Sequence, residues 1–357
     1  MIYMAGFELE KSAYYYFNML NSNEKKIYNA LFQALMKVAP SVSLPFSVKK
    51  ETVEKTLQFV IYDRPDIFWF TGSYTMTSSN NLVKSVSFDY RMSKSEVDVL
   101  KNRLLNSVFF KRMDALILSK KTVFEKALVA YEYIIKNADY DRVAAEYSSV
   151  RKYDYAYNID GIIMNSKAVC AGYSKTFQYF MNRHRIYCTF VAGSTKRGRH
   201  AWNLINIAGS YYYIDTTWGD PVFANNSNKS SDYISYDFFC ITTNDLKKSH
   251  AANIDYKMPL CTDTRCNYYR YFNLISDTFS VYDVVSRLIS AYRNGKNEAE
   301  IKYSSNSEYF IAKRELFDNE KIFDVLSKAK QTVTKINDRQ VNYSTNDDRN
   351  TIKIKLY

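Results

Sequence analysis

Glycine and proline are scarce in this 357-residue chain, at 9 and 5. That scarcity excludes a collagen-like repeat and a flexible low-complexity linker. The five cysteines, Cys170, Cys188, Cys240, Cys261 and Cys266, are too few and odd in number for a disulfide-stapled framework, so at least one thiol is expected outside any bridge. Cys261 and Cys266 stand close together with no second Cys or His pair nearby, so a zinc site there lacks its other ligands. A local disulfide or two buried thiols is the expectation, and neither a metal nor a cofactor is called for. No apolar run approaches the ~18–20 residues of a bilayer span. The opening stretch Met1 to Gly6 lacks the charged and apolar regions of a secretion signal. The chain as given therefore reads as soluble, either cytoplasmic or the mature part of an exported protein.

What is present is apolar and aromatic: 46% of residues are hydrophobic, with 33 tyrosines and 22 phenylalanines. The length suits two or three packed units. A net charge of +12 would suit an acidic partner. The basic groups Lys120-Lys121, Lys196 to Arg199 and Lys247-Lys248 are scattered, however, so nucleic-acid binding is not expected.

Local patterning predicts an α+β fold. Asn21 with Glu24, Ser93 with Glu96 and Thr122 with Glu125 each read as a capping box opening a helix. A further helix is expected from Glu51 to Tyr62, and strands over Ile67 to Tyr74 and Leu82 to Tyr90 as a hairpin. The tyrosine-rich stretch Asp139 to Asp160 shows little periodicity and reads as a long surface segment. Cys170 to His184 is predicted helical, followed by strands Tyr187 to Ala192, Ala201 to Ile207 and Tyr211 to Asp215. Helices near Val281 to Tyr292 and Lys321 to Thr332 and a strand Ile352 to Leu356 close the chain. This divides it into an N-terminal α/β unit over 1–113, a core over 114–245 and a C-terminal α/β extension over 246–357.

Only three histidines occur, His184, His200 and His250. His200 stands at the mouth of a predicted strand, in His200-Ala201-Trp202-Asn203. A thiol nucleophile needs an imidazole beside it, and that imidazole needs an acceptor on its other nitrogen. Cys170, at a predicted helix start where backbone N–H groups and the helix dipole favour a thiolate, and Asp215, across a hairpin from His200, can supply those parts. Gly172 lets backbone or substrate approach closely.

Val169-Cys170-Ala171-Gly172-Tyr173-Ser174, His200-Ala201-Trp202-Asn203 and Tyr213-Ile214-Asp215-Thr216-Thr217-Trp218-Gly219-Asp220-Pro221 together resemble the core of the transglutaminase-like superfamily, in the same Cys, His, Asp order. The likeness covers about Thr122 to Asp220. The N-terminal unit, with Asn23 to Tyr28 and Pro65 to Trp69, is similar to one preceding this core in many bacterial members. The resemblance implies a papain-like fold, with Cys170 as nucleophile, His200 as base then acid and Asp215 as orienter. It implies an acyl-enzyme resolved by water in a peptidase or amidase, or by an amine in a transglutaminase. With no acidic calcium loop in evidence, hydrolysis of a protein or peptide substrate is favoured. Ser166 departs from the family pattern, which has glycine there.

Each of these residues also has a plainer reading. A lone cysteine is more often a small buried hydrophobe than a nucleophile. Cys188 and Cys240 keep that reading, His184 reads as a helix-end cap, and His250 as a loop residue beside two lysines. Trp202 and Trp218 either pack under the sheet or wall the substrate cleft, and Tyr173 packs near that cleft. Asp220 is a turn residue first, and Asn203 has no assigned role. A different class of function, a non-catalytic module gripping peptides or cell-surface polymers on the same fold, is weakened by the presence of all three residues.

Overall fold

The structure, a computed structural model, describes residues 14–220, 234–253, 257–296 and 298–356. Pro221 and the polar loop 225–231 lie outside the described residues. Two units emerge, 1–264 and 265–357.

Local capping decides where the early helices begin. After the short α1 (Tyr15–Asn18), α2 (Ser22–Lys37) opens at Asn21. Its side chain accepts from Asn23 and Glu24 while Glu24 answers the Asn21 N–H. Next come β1 (Ser41–Val48), α3 (Lys50–Asp63), β2 (Phe70–Ser79) and β3 (Leu82–Tyr90), with sheet order β1-β3-β2, antiparallel throughout. The β2–β3 hairpin was expected, and β1 was not. Pro45 argues against a strand in the sequence, but β1 is an edge strand, where a missing N–H need not break the ladder. Two more capping boxes, Ser93 with Glu96 and Thr122 with Glu125, start α4 (Lys94–Asn106) and, beyond α5 (Val108–Leu118), α6 (Val123–Asn137).

The stretch expected as a surface segment is exposed over most of 142–152, as expected, but its flanks reach into the core. It forms β4 (Asp139–Tyr140), α7 (Arg142–Glu146), a 3-10 turn over 151–157 and the start of α8 (Ile159–Asn165). Ala144, Ala156 and Val169 make a small buried cluster, with Tyr140, Tyr153, Tyr155 and Tyr157 packed against it. Elements this short leave no period to read, and the phenols supply packing. Ser166 takes φ +52° as the C-cap of α8, which explains why glycine suits that position.

β5 (Lys167–Ala168) pairs with β4 in parallel and delivers the chain to α9 (Cys170–Arg183). α9 packs on an antiparallel sheet of β6 (Cys188–Thr195), β7 (Gly198–Ile207) and β8 (Ser210–Ile214). After α10 (Thr216–Gly219) and α11 (Thr243–Lys247), a three-residue strand β9 (His250–Ala252) joins the free edge of β6, giving the order β8-β7-β6-β9. This is the papain-like α+β arrangement: a helix bearing Cys170 against an antiparallel sheet bearing His200, with Asp215 at its end.

The second unit holds α12 (Tyr268–Tyr271), β10 (Ile275–Ser276), α13 (Val281–Arg293), β11 (Glu298–Tyr303), α14 (Asn306–Lys313), α15 (Lys321–Thr332), β12 (Tyr343–Asn346) and β13 (Thr351–Lys355). Its sheet runs β10-β11-β13-β12 around a core that includes Val284, Leu288, Ile301, Val325, Ile352 and Ile354. Among the described residues no helix is long and apolar enough to cross a membrane.

Candidate active site

Cys170 is the first residue of α9, where N–H groups have no acceptor within the helix. The Val169 N–H donates to the Ala156 carbonyl at 3.0 Å, tying the helix start to the 3-10 turn. A Cβ at Gly172 would stand 2.4 Å from the Ala156 oxygen and 2.6 Å from the Ala168 Cβ. Gly172 therefore permits close backbone packing, and the expectation that it meets substrate is corrected. All five cysteines are thiols, so the local disulfide between Cys261 and Cys266 is not formed. Cys188, Cys240 and Cys261 are buried, whereas Cys170 and Cys266 are half-buried.

The β7–β8 register, Asn203 against Ile214, sets Asp215 one residue past the last rung and diagonal to His200. His200 Nε2 lies 2.7 Å from Asp215 Oδ2. Cys170 is among the groups that act on the same imidazole. With Nε2 committed to the carboxylate, Nδ1 is the ring nitrogen left for the sulfur. Asp215 also caps α10, its Oδ1 accepting the N–H groups of Thr217 at 2.9 Å and Trp218 at 3.1 Å.

Charge follows from these contacts. Burial alone would raise the Asp215 carboxyl, but the charge and hydrogen bond of His200, then those of His250, hold it well below the usual carboxylate range. For His200 burial disfavours the cation. The Asp215 charge and hydrogen bond, followed by the influence of Cys170, outweigh that and push it up to about 10.

The neighbouring sequence expectations divide. Trp202 and Tyr173 are fully buried, so neither reaches a substrate. Trp202 packs beneath the site, and the Tyr173 hydroxyl donates to Asp220 Oδ2 at 2.8 Å, linking α9 to the end of α10. Asp220 is thus a buried acceptor. Trp218 is half-buried, its ring 5.8 Å from the His200 ring centroid, and is the tryptophan placed to wall a cleft. Asn203 donates to the Ser174 carbonyl at 3.0 Å and the Thr189 carbonyl at 3.3 Å, bolting α9 to the sheet. His184 is the C-cap of α9, its N–H reaching the Met181 and Phe180 carbonyls at 3.1 and 3.2 Å, and its Nε2 meets Asp114 at 2.8 Å.

The residue the sequence did not announce is His250. Far from being a loop residue beside lysines, it starts β9, is 3% exposed, and brings its Nε2 to 3.0 Å from Asp215 Oδ2. The available signal was its rarity. His200, Asp215 and His250 offer donor atoms within 4.8 Å of one another, a grouping that invites a metal reading. Ligands of one tetrahedral zinc at ~2.0 Å stand ~3.3 Å apart. The N···O separations of 2.7 and 3.0 Å are shorter and match hydrogen bonds.

No family model matches the chain. It is 22% identical over 225 residues to the human (Homo sapiens) protein named kyphoscoliosis peptidase, and 21% identical over 224 residues to the mouse (Mus musculus) protein of that name. Each alignment covers 59% of this chain and 33% of the relative, so the chain matches about a third of the length of these curated relatives. A solved TGase structure aligns with 45% of this chain and 47% of its own, at 17% identity and a TM-score of 0.28. Its three motifs, the helix-on-sheet core that carries them and the likeness to the two curated relatives support a transglutaminase-like superfamily for this chain.

Proposed function

We propose that the chain is a thiol enzyme that cleaves amide bonds in a protein or peptide, with Cys170 as nucleophile, His200 as proton carrier and Asp215 as orienter. The observation that supports this most directly is the His200 ring held 2.7 Å from a buried carboxylate, with Cys170 among the groups that act on it. An imidazole that holds its proton this firmly suits the state that follows transfer of the thiol proton. The Cys170 sulfur then bonds to the amide carbonyl carbon, and its backbone N–H at the helix start is placed to receive the oxyanion. The C–N bond breaks as His200 returns the proton to the leaving amine. Water, deprotonated by His200, attacks the thioester, and the carboxylic acid leaves with the thiol restored.

Water is preferred to an amine as the second nucleophile on the peptidase name of the relatives. The net charge of +12 suits an acidic peptide. The test is alkylation by iodoacetamide at pH 7, read site by site by mass spectrometry. Cys170 is expected to react at least ~10-fold faster than the other four thiols, and His200→Ala to remove that advantage. Equal labelling of Cys170 and Cys266 would favour the binding-module function instead. Where Cys170 is selective, new amino termini in a peptide library identify hydrolysis, and capture of a fluorescent amine identifies transfer.

A further inference from the structure

Asp215 Oδ2 is shared. It takes His200 Nε2 at 2.7 Å and His250 Nε2 at 3.0 Å, while Oδ1 takes two backbone N–H groups. Four donors thus fill a carboxylate that has about four lone-pair positions, in a pocket where Asp215 is 1% exposed. As the carboxylate can only accept, His250 carries its proton on Nε2. Nδ1, 2.8 Å from the Ser249 hydroxyl, is then the acceptor that selects this tautomer.

The His250 ring is also fixed in place. Trp218, Trp202 and Phe238 surround it with ring centroids at 4.6, 4.9 and 5.5 Å. Gly193 makes that packing possible, since a Cβ there would stand 2.2 Å from the Ala251 carbonyl and 2.4 Å from Trp202. β9 pairs with β6 through Thr195 and His250, and β6 pairs with the His200 strand, so one hairpin sets both imidazoles.

We infer that His250 is a positioning residue for the proposed triad: it occupies the second lone pair of Asp215 Oδ2, fixing where that oxygen meets His200 and taking part of its charge. This rests on the proposed thiol chemistry. The other titratable groups acting on Asp215 or Cys170 are His200, which shares Oδ2, and the phenols Tyr131, Tyr140 and Tyr157.

The test is the pH profile of iodoacetamide alkylation at Cys170 in the full chain. His250→Phe fills the aromatic pocket without a donor and leaves the carboxylate more basic. The alkaline limb, where His200 gives up its proton, is then expected to move up by about one pH unit while the acid limb stays within about 0.3 unit. His250→Gln, whose amide nitrogen stands where Nε2 stood, is expected to restore the wild-type limbs. Should His250→Phe fail to fold, His250→Asn gives the same contrast, because its amide reaches the Nδ1 position only. Limbs that coincide in all variants, with Cys170 still selectively reactive, would overturn the inference and leave the thiol reading standing. One equivalent of zinc in the purified protein, with profiles that change only on its removal, would also overturn it. A Cys170 that is unselective in the wild type removes the thiol reading, and this inference with it.

Discussion

Asp63 and Asp215 are both buried carboxylates that accept two backbone N–H groups, yet their proton affinities are shifted in opposite directions. Asp63, ending α3, accepts from Tyr16 at 3.1 Å and Phe17 at 2.8 Å, and from the Tyr28 hydroxyl at 3.2 Å. Burial dominates there. These bonds and the nearby Arg64 charge offset it only in part, and Asp63 is raised to about 7. Asp215 is as deeply buried, but two imidazoles replace the phenol, and it stays ionised. Backbone donors alone do not secure a buried charge. A partner able to carry the opposite charge does.

The largest effect that would break this comparison is on activity. Asp215→Asn is expected to slow burst hydrolysis of an activated ester by ~10³–10⁴-fold, as loss of the orienting carboxylate does in other triads. Asp63→Asn should stay within ~3-fold. Comparable losses in the two variants would mean that Asp215 acts through folding alone.

Stability against pH sharpens the contrast next. Folded Asp63 holds its proton more tightly than the unfolded chain, so between about pH 4 and 7 its contribution falls as pH rises. The size is on the order of 2–4 kcal/mol. Urea titrations at pH 4.5 and 7.5 should show Asp63→Asn flattening that fall. The Asp215 and His200 pair has the reverse sign on its acid side. The Asp215 contribution is present above an ordinary carboxyl pKa and lost in acid, while that of His200 is present below its ordinary value and lost as pH rises through about 10. Asp215→Asn should therefore lose both slopes, the first between about pH 2 and 4 and the second between about pH 6.5 and 10, in urea titrations that span those windows. The smallest effect belongs to Tyr28→Phe, expected to cost ~1–2 kcal/mol at pH 7.5 by removing one donor from Asp63. A cost near zero would mean that the phenol adds nothing to the two N–H groups.

Much of this was legible locally. The capping boxes at Asn21, Ser93 and Thr122 are decided within four residues, so the sequence announces them. Cys170, His200 and Asp215 stand out because thiol chemistry needs those three groups and their order resembles the transglutaminase-like pattern, and a helix start and neighbouring strands carry them. His250 was missed because what defines it is a tertiary contact 35 residues from Asp215, on a three-residue strand too short to show a pattern. In the sequence Trp202 stays open between core and cleft because composition near a motif does not reveal which way a side chain faces.

β9 pairs with β6 through only three rungs, from Gly193 with Ala252 to Thr195 with His250. A slip of one residue along β6 would turn His250 to the opposite face and offer Asp215 a methyl group from Ala251. The misaligned chain would then seal a charge among aromatic rings with one donor missing, a state that costs more than three rungs can return. The pocket thereby penalises any misalignment of the strand that completes it.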